Sequence, residues 1–155
     1  MDLALFGRLD FFAMGLSSLR PAPLPALPGR TLLQMSRDEG FSWDVYLPRL
    51  IELIRQLHRS GVYFRSLHLG NVLVLEDGEF GLIDLADLRI YPTPLSLSMR
   101  QRNLRHMQRY TVDKRWLFED HLEALLQGYA ATASKSAVDN LHRQVLAGNT
   151  PARVH

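Results

Sequence analysis

The chain has 155 residues, of which 46% are hydrophobic and 22% charged, with a formal net charge of +2. That balance excludes wholesale disorder, and the length limits the chain to about one ordinary core. With no cysteine, a disulfide scaffold, a cysteine zinc centre and a thiol nucleophile are excluded as well.

The opening residues carry apolar pairs, Leu5-Phe6 and Phe11-Phe12, but no sustained period. Asp2, Arg8 and Asp10 interrupt any signal-peptide core, so the expected compartment is the cytoplasm. Pro21, Pro23, Pro25 and Pro28 make Arg20–Gly29 an extended connector. From Trp43 through Tyr46, Leu47, Leu50, Ile51, Ile54 and Leu57 the apolar residues recur at helical spacing. Ser60-Gly61 ends that helix, with Gly61 suited to a left-handed cap. An irregular loop, Tyr63–Gly70, then leads to two strands, Asn71–Leu75 and Phe80–Leu85, joined through Asp77-Gly78, a strong hairpin signal. Beyond Pro92 and Pro94, helices are expected over Leu95–Tyr110, Trp116–Tyr129 and Ser136–Leu146. The fold class is mainly α (α+β), helical with one small hairpin.

Charge is unevenly distributed. Between Arg89 and Arg115 there are seven basic residues and one acid, Asp113. Such an excess suits an anionic partner or a solvated helix face. No histidine pair has metal-site spacing, and no G-x-S-x-G elbow is present. Only Tyr91 and Tyr110 accompany the basic helix, so a single-strand stacking platform is not supported, and no specific nucleic-acid partner is expected.

The informative stretch is His58–Asp87. Asn71 opens the first hairpin strand and Asp84 lies near the end of the second. Oxygen donors at neighbouring strand ends can reach one hard cation, and magnesium accepts so few protein ligands because waters and phosphate oxygens supply the rest. Taken singly, Asn71 could equally cap a turn and Asp84 pair locally.

Together with their surroundings these residues resemble the catalytic loop and metal aspartate of the protein-kinase-like fold, where H-R-D-L-x-x-x-N is followed by a hairpin and D-F-G. The aligned residues are Phe64-Arg65-Ser66-Leu67-His68-Leu69-Gly70-Asn71 and Asp84-Leu85-Ala86. The Leu-His-x-Gly-Asn wording, a hinge-like Leu-Pro-Gly-Arg-Thr-Leu at 27–32 and the arginine-rich helix are similar to the bacterial lipopolysaccharide kinases that act on Kdo and heptose. The resemblance spans about residues 27–117. It implies a C-terminal lobe over 27–147, a remnant or linker over 1–26 and a polar tail over 148–155.

The resemblance implies ATP and Mg2+ as cofactors, with Asn71 and Asp84 as metal and nucleotide ligands. Arg65 would brace the loop, and Arg100, Arg102, Arg105 and Arg109 would face acidic groups of a lipopolysaccharide core sugar or the anionic inner-leaflet surface. It also exposes two departures. The catalytic-base position is Ser66, which cannot take a proton without a base of its own, and His68 is the nearest substitute. The N-lobe is largely absent: no glycine-rich loop occurs, and Lys114 and Lys135 lie beyond Asp84 in the chain. The family reaction, phosphate transfer from ATP to an inner-core sugar, is therefore expected to be impaired. The alternative is a non-catalytic pseudokinase or split-kinase half, binding a separate N-lobe polypeptide or forming a homo-oligomer.

Overall fold

A computed structural model of the chain describes residues 19–20, 29–76, 78–130 and 135–148. The readings for residues 1–18, the proline connector at 21–28, Asp77 and the end of the tail lie outside them.

The first strand, β1 (Leu19–Arg20), and the second, β2 (Gly29–Thr31), flank the connector. Thr31 then caps a short helix, α1 (Leu32–Met35), in a capping box with Gln34. Helix α2 runs from Leu47 to Arg59. Its start is later than the apolar pattern suggests because Pro48 sits in the first turn, where a fixed φ and a missing N–H cost nothing. Trp43–Val45 forms a separate 3-10 turn before it. Leu50, Ile54 and Leu57 on α2 are buried and meet Phe64, Leu67, Leu69, Leu104, Leu117 and Phe118 in the core.

Gly61 reverses the chain after α2 with φ +76°, as its position at the helix end suggests. A Cβ there would lie 2.3 Å from the Tyr91 carbonyl oxygen and 2.5 Å from that of Thr93. Gly61→Ala should therefore cost about 2–3 kcal/mol, read as a lowered urea midpoint.

Two small sheets follow. The expected hairpin is β4 (Val72–Leu75) with β5 (Phe80–Leu82), flanked by β2 antiparallel on β4 and β1 parallel on β5. The second sheet pairs β3 (Val62–Phe64) with β6 (Leu88–Ile90), in the register Phe64 opposite Leu88. Tyr63 and Phe64 are thus strand residues rather than loop. This register sets the residues just after β3 beside those just before β6.

Helix α3 spans Leu97–Met107, capped by the Ser96 side chain. The single helix expected over Trp116–Tyr129 is divided. A one-turn α4 (Thr111–Asp113) continues as a π-helical segment, Lys114–Asp120, before α5 (Leu122–Ala130). Helix α6 covers Lys135–Gly148. The π-helical segment carries Trp116 onto Trp43, ring centroids 3.9 Å apart.

Candidate functional site

Two buried polar networks fix the loop between β3 and β4. In the first, the His58 Nε2–H donates to Asn103 Oδ1 at 2.9 Å, and Asn103 Nδ2 donates to the Phe64 carbonyl at 2.7 Å. Burial, more than the nearby Arg100 charge, pushes His58 down to about 4, so the ring is neutral near pH 7. In the second, Asp113, 2% exposed, accepts the Leu69 N–H at 2.9 Å. Burial pushes its carboxyl up to about 7 against the opposing effect of that hydrogen bond. The loop is thus held at its start and its middle by side chains far away in sequence. Neither His58 nor Asp113 is singled out by any local pattern.

Asn71 and Asp84 occupy neighbouring backbone positions at one end of the hairpin. The Ile83 N–H donates to the Asn71 carbonyl at 3.1 Å, which places Asp84 one residue from a direct contact with Asn71. Asn71 is buried, and its Nδ2 donates to the Ser66 carbonyl at 2.9 Å. That bond fixes the amide orientation and leaves Oδ1 as its oxygen donor. Asp84 is exposed, and among the described residues it alone of the non-glycines has a positive φ, at 59° with ψ 53°. A left-handed aspartate costs roughly 1 kcal/mol, a strain typical of functional positions. An amide oxygen and a carboxylate are the hard donors that magnesium prefers, so the pair fits that ion. No cluster of three acidic, histidine or cysteine residues exists among the described residues to make a fuller metal cage.

The other catalytic-loop residues take less expected places. Ser66 Oγ donates to Asp87 Oδ2 at 2.5 Å, and the Ser66 N–H reaches Asp87 Oδ1 at 3.4 Å. His68 Nδ1 accepts the Gly70 N–H at 3.1 Å, and its ring stacks on Tyr110 with centroids 4.0 Å apart. Burial lowers the His68 pKa, opposed by the Asp84 and Asp87 charges. The neutral ring therefore carries its proton on Nε2, and its lone pair is committed to Gly70. In this arrangement His68 has nothing left to accept a substrate proton.

Bordered by Arg65 and Asp87, the chain neighbour and the hydrogen-bond partner of Ser66, lies a cleft of about 400 Å³ between β6 and α3. Arg65, Arg89, Arg102 and His106 line it, with Asp87 on the same wall. Burial lowers the His106 pKa, and the Arg109, Arg65 and Arg102 charges act in the same direction. Arg102 and Arg109 thus join one positive group around His106. Arg105 is exposed on α3. Arg100 is turned elsewhere, its Nε donating to the Leu95 carbonyl at 2.8 Å. Helical phase explains the split on α3, since Arg102 and His106 are four residues apart and Arg100, two residues before Arg102, falls on the other side; Arg109 follows in the turn after Met107. Arg65 and Arg89, which the sequence does not mark as ligands, complete the positive rim.

A model of the lipopolysaccharide kinase (Kdo/WaaP) family matches residues 45–129, over half of the 155. The chain belongs to this family. The match takes in α2, both strands of the hairpin, the whole cleft and most of α5, and it begins after the hinge-like segment at 27–32. Among curated proteins no relative matches the chain. Family membership makes the protein lipopolysaccharide-kinase-like, and kinases of this kind generally use ATP with magnesium. No helix among the described residues is long and apolar enough to cross a membrane.

Proposed function

We propose that the chain forms the lower half of a magnesium-dependent phosphotransfer site, in which the ATP γ-phosphate passes to a sugar hydroxyl of the lipopolysaccharide inner core. The observation that carries this reading is the strained, exposed Asp84 beside a buried Asn71 whose amide orientation is fixed. Asp84 and the Asn71 amide oxygen would hold the metal. Magnesium, when bound, neutralises charge on the phosphates and orients them for transfer. The two buried networks through His58 and Asp113 keep the loop rigid, so the ligands need no rearrangement before they act.

The cleft beside the loop suits the acceptor. Arg65, Arg89 and Arg102 offer planar donor forks for phosphate or carboxylate groups, such as those of an acidic or phosphorylated sugar. The lysine and glycine-rich cover that such sites use do not occur before Asp84 in these 155 residues. They would come from residues outside this chain segment, whether covalently attached or on a separate polypeptide. A non-catalytic, protein-binding role is the second reading, favoured by the serine at position 66.

Two measurements test the proposal. A nucleotide present at about 100 times its dissociation constant should stabilise the fold by about 2.7 kcal/mol, seen as a thermal shift that requires magnesium. γ-Labelled ATP with dephosphorylated core oligosaccharide should yield labelled sugar. A shift without product favours the binding role. The absence of both shift and product defeats the proposal.

A further inference from the structure

We infer that Asp87 is the proton acceptor of the transfer reaction, working through the Ser66 hydroxyl. The inference rests on the kinase reading above and adds to it the group that position 66 lacks. In the family pattern the carboxylate that takes the acceptor proton belongs where Ser66 stands. The chain does not leave that place without a carboxylate. The β3–β6 register turns the residues before β6 back against the loop, and Asp87 closes on Ser66 from twenty-one residues away, Oγ to Oδ2 at 2.5 Å.

Three features distinguish this contact from a simple turn brace. Asp87 is half-buried and lines the acceptor cleft, so its carboxylate borders the space a sugar hydroxyl would enter. Only two of its roughly four lone-pair sites are taken, by the Ser66 N–H and O–H. His68, the other candidate, has its lone pair occupied by Gly70. The charged and titratable groups around Asp87 are His68 on the loop, Tyr63 and Arg65 in and after β3, Arg89 and Tyr91 in and after β6, and Arg102 and His106 on α3.

The step balances without a further reagent. The acceptor O–H gives its proton to Ser66 Oγ as the Ser66 proton moves to Asp87 Oδ2. The acceptor oxygen forms a bond to the γ-phosphorus of ATP. The bond from that phosphorus to the β–γ bridging oxygen breaks, and ADP leaves with the electron pair. Asp87 then releases its proton to water.

The test uses Asp87→Asn, which keeps an acceptor for the Ser66 hydroxyl, and the exchanged pair Ser66→Asp/Asp87→Ser. Each is assayed with γ-labelled ATP and dephosphorylated core oligosaccharide, alongside the magnesium–ATP thermal shift. Asp87→Asn should lower kcat by roughly 100- to 10,000-fold, with the nucleotide-dependent shift retained. The exchanged pair should recover at least about tenfold over Asp87→Ser alone, because it restores one carboxylate and one hydroxyl with their places reversed. Activity of Asp87→Asn within about threefold of the parent protein overturns the inference and leaves the kinase reading intact. So does a loss matched by an equal loss of nucleotide binding or of thermal stability, which marks a brace. A parent protein that binds nucleotide without transferring phosphate also overturns it, and one that does neither removes the kinase reading as well.

Discussion

Asp84→Gly should abolish the magnesium-dependent effect of ATP while leaving the fold at least as stable as before. Glycine adopts the left-handed conformation at position 84 without the steric cost that aspartate bears there. The relief is offset in part by the greater freedom of glycine in the unfolded chain, so the net gain should be between zero and about 1 kcal/mol. The carboxylate, meanwhile, is the charged member of the proposed ligand pair, and its loss should remove the entire nucleotide-induced thermal shift. Asp84→Ala separates the two effects, since alanine loses the ligand yet keeps the strain. The expected order of stability without ligand is Gly first and Ala last, read by urea denaturation. If Asp84→Gly unfolds earlier than the parent protein, the residue stabilises the fold and strain at this position is refuted. If its thermal shift with magnesium and ATP survives, Asp84 is not the ligand.

The second large effect concerns pH. His58 has its pKa lowered from 6.5 to about 4, so the stability it contributes is complete above 6.5 and lost as pH falls toward 4. Asp113 has its pKa raised from 3.8 to about 7, so its contribution is complete below 3.8 and lost as pH rises through 7. The first loss amounts to about 3 kcal/mol and the second to about 4 kcal/mol, taking 1.36 kcal/mol per pKa unit. Because the windows overlap and the signs oppose, the parent protein should change little in stability between about pH 4 and pH 7 from these two groups. Asp113→Asn keeps an acceptor for the Leu69 N–H but cannot ionise, so its stability should rise steeply with pH across that window. His58→Gln should do the reverse and grow less stable as pH rises. Denaturant unfolding at several pH values measures both slopes. Parallel profiles for the two variants would refute the assignment.

The helix α2 and the hairpin that carries Asn71 and Asp84 at neighbouring ends were legible because each rests on local information: apolar period and a turn dipeptide. The later start of α2 was also written in the sequence, at Pro48, though the apolar pattern alone hides it. The split of the basic helix into Arg100 on one side and Arg102 with His106 on another could have been read from helical phase. What the sequence conceals is long-range. The strands β3 and β6 are three residues each, too short to carry an alternating pattern. Asp87 meets Ser66, and Asp113 meets Leu69, only because that pairing and the turn into α4 bring distant segments together. An acid buried for its backbone contact looks, in a sequence, like any surface aspartate. The π-helical segment is hidden for a similar reason, since its apolar residues also fit one continuous helix.

The stacking of Trp43 on Trp116 has a practical side. These are the only two tryptophans of the chain, and both occupy one junction between the turn before α2 and the π-helical segment. Intrinsic emission and the near-ultraviolet circular dichroism of the indoles therefore report that single joint, coupled as one chromophore pair. They will follow global denaturation well. A nucleotide settling near Asp84 can leave them unchanged, so a silent fluorescence titration would not count against ligand binding.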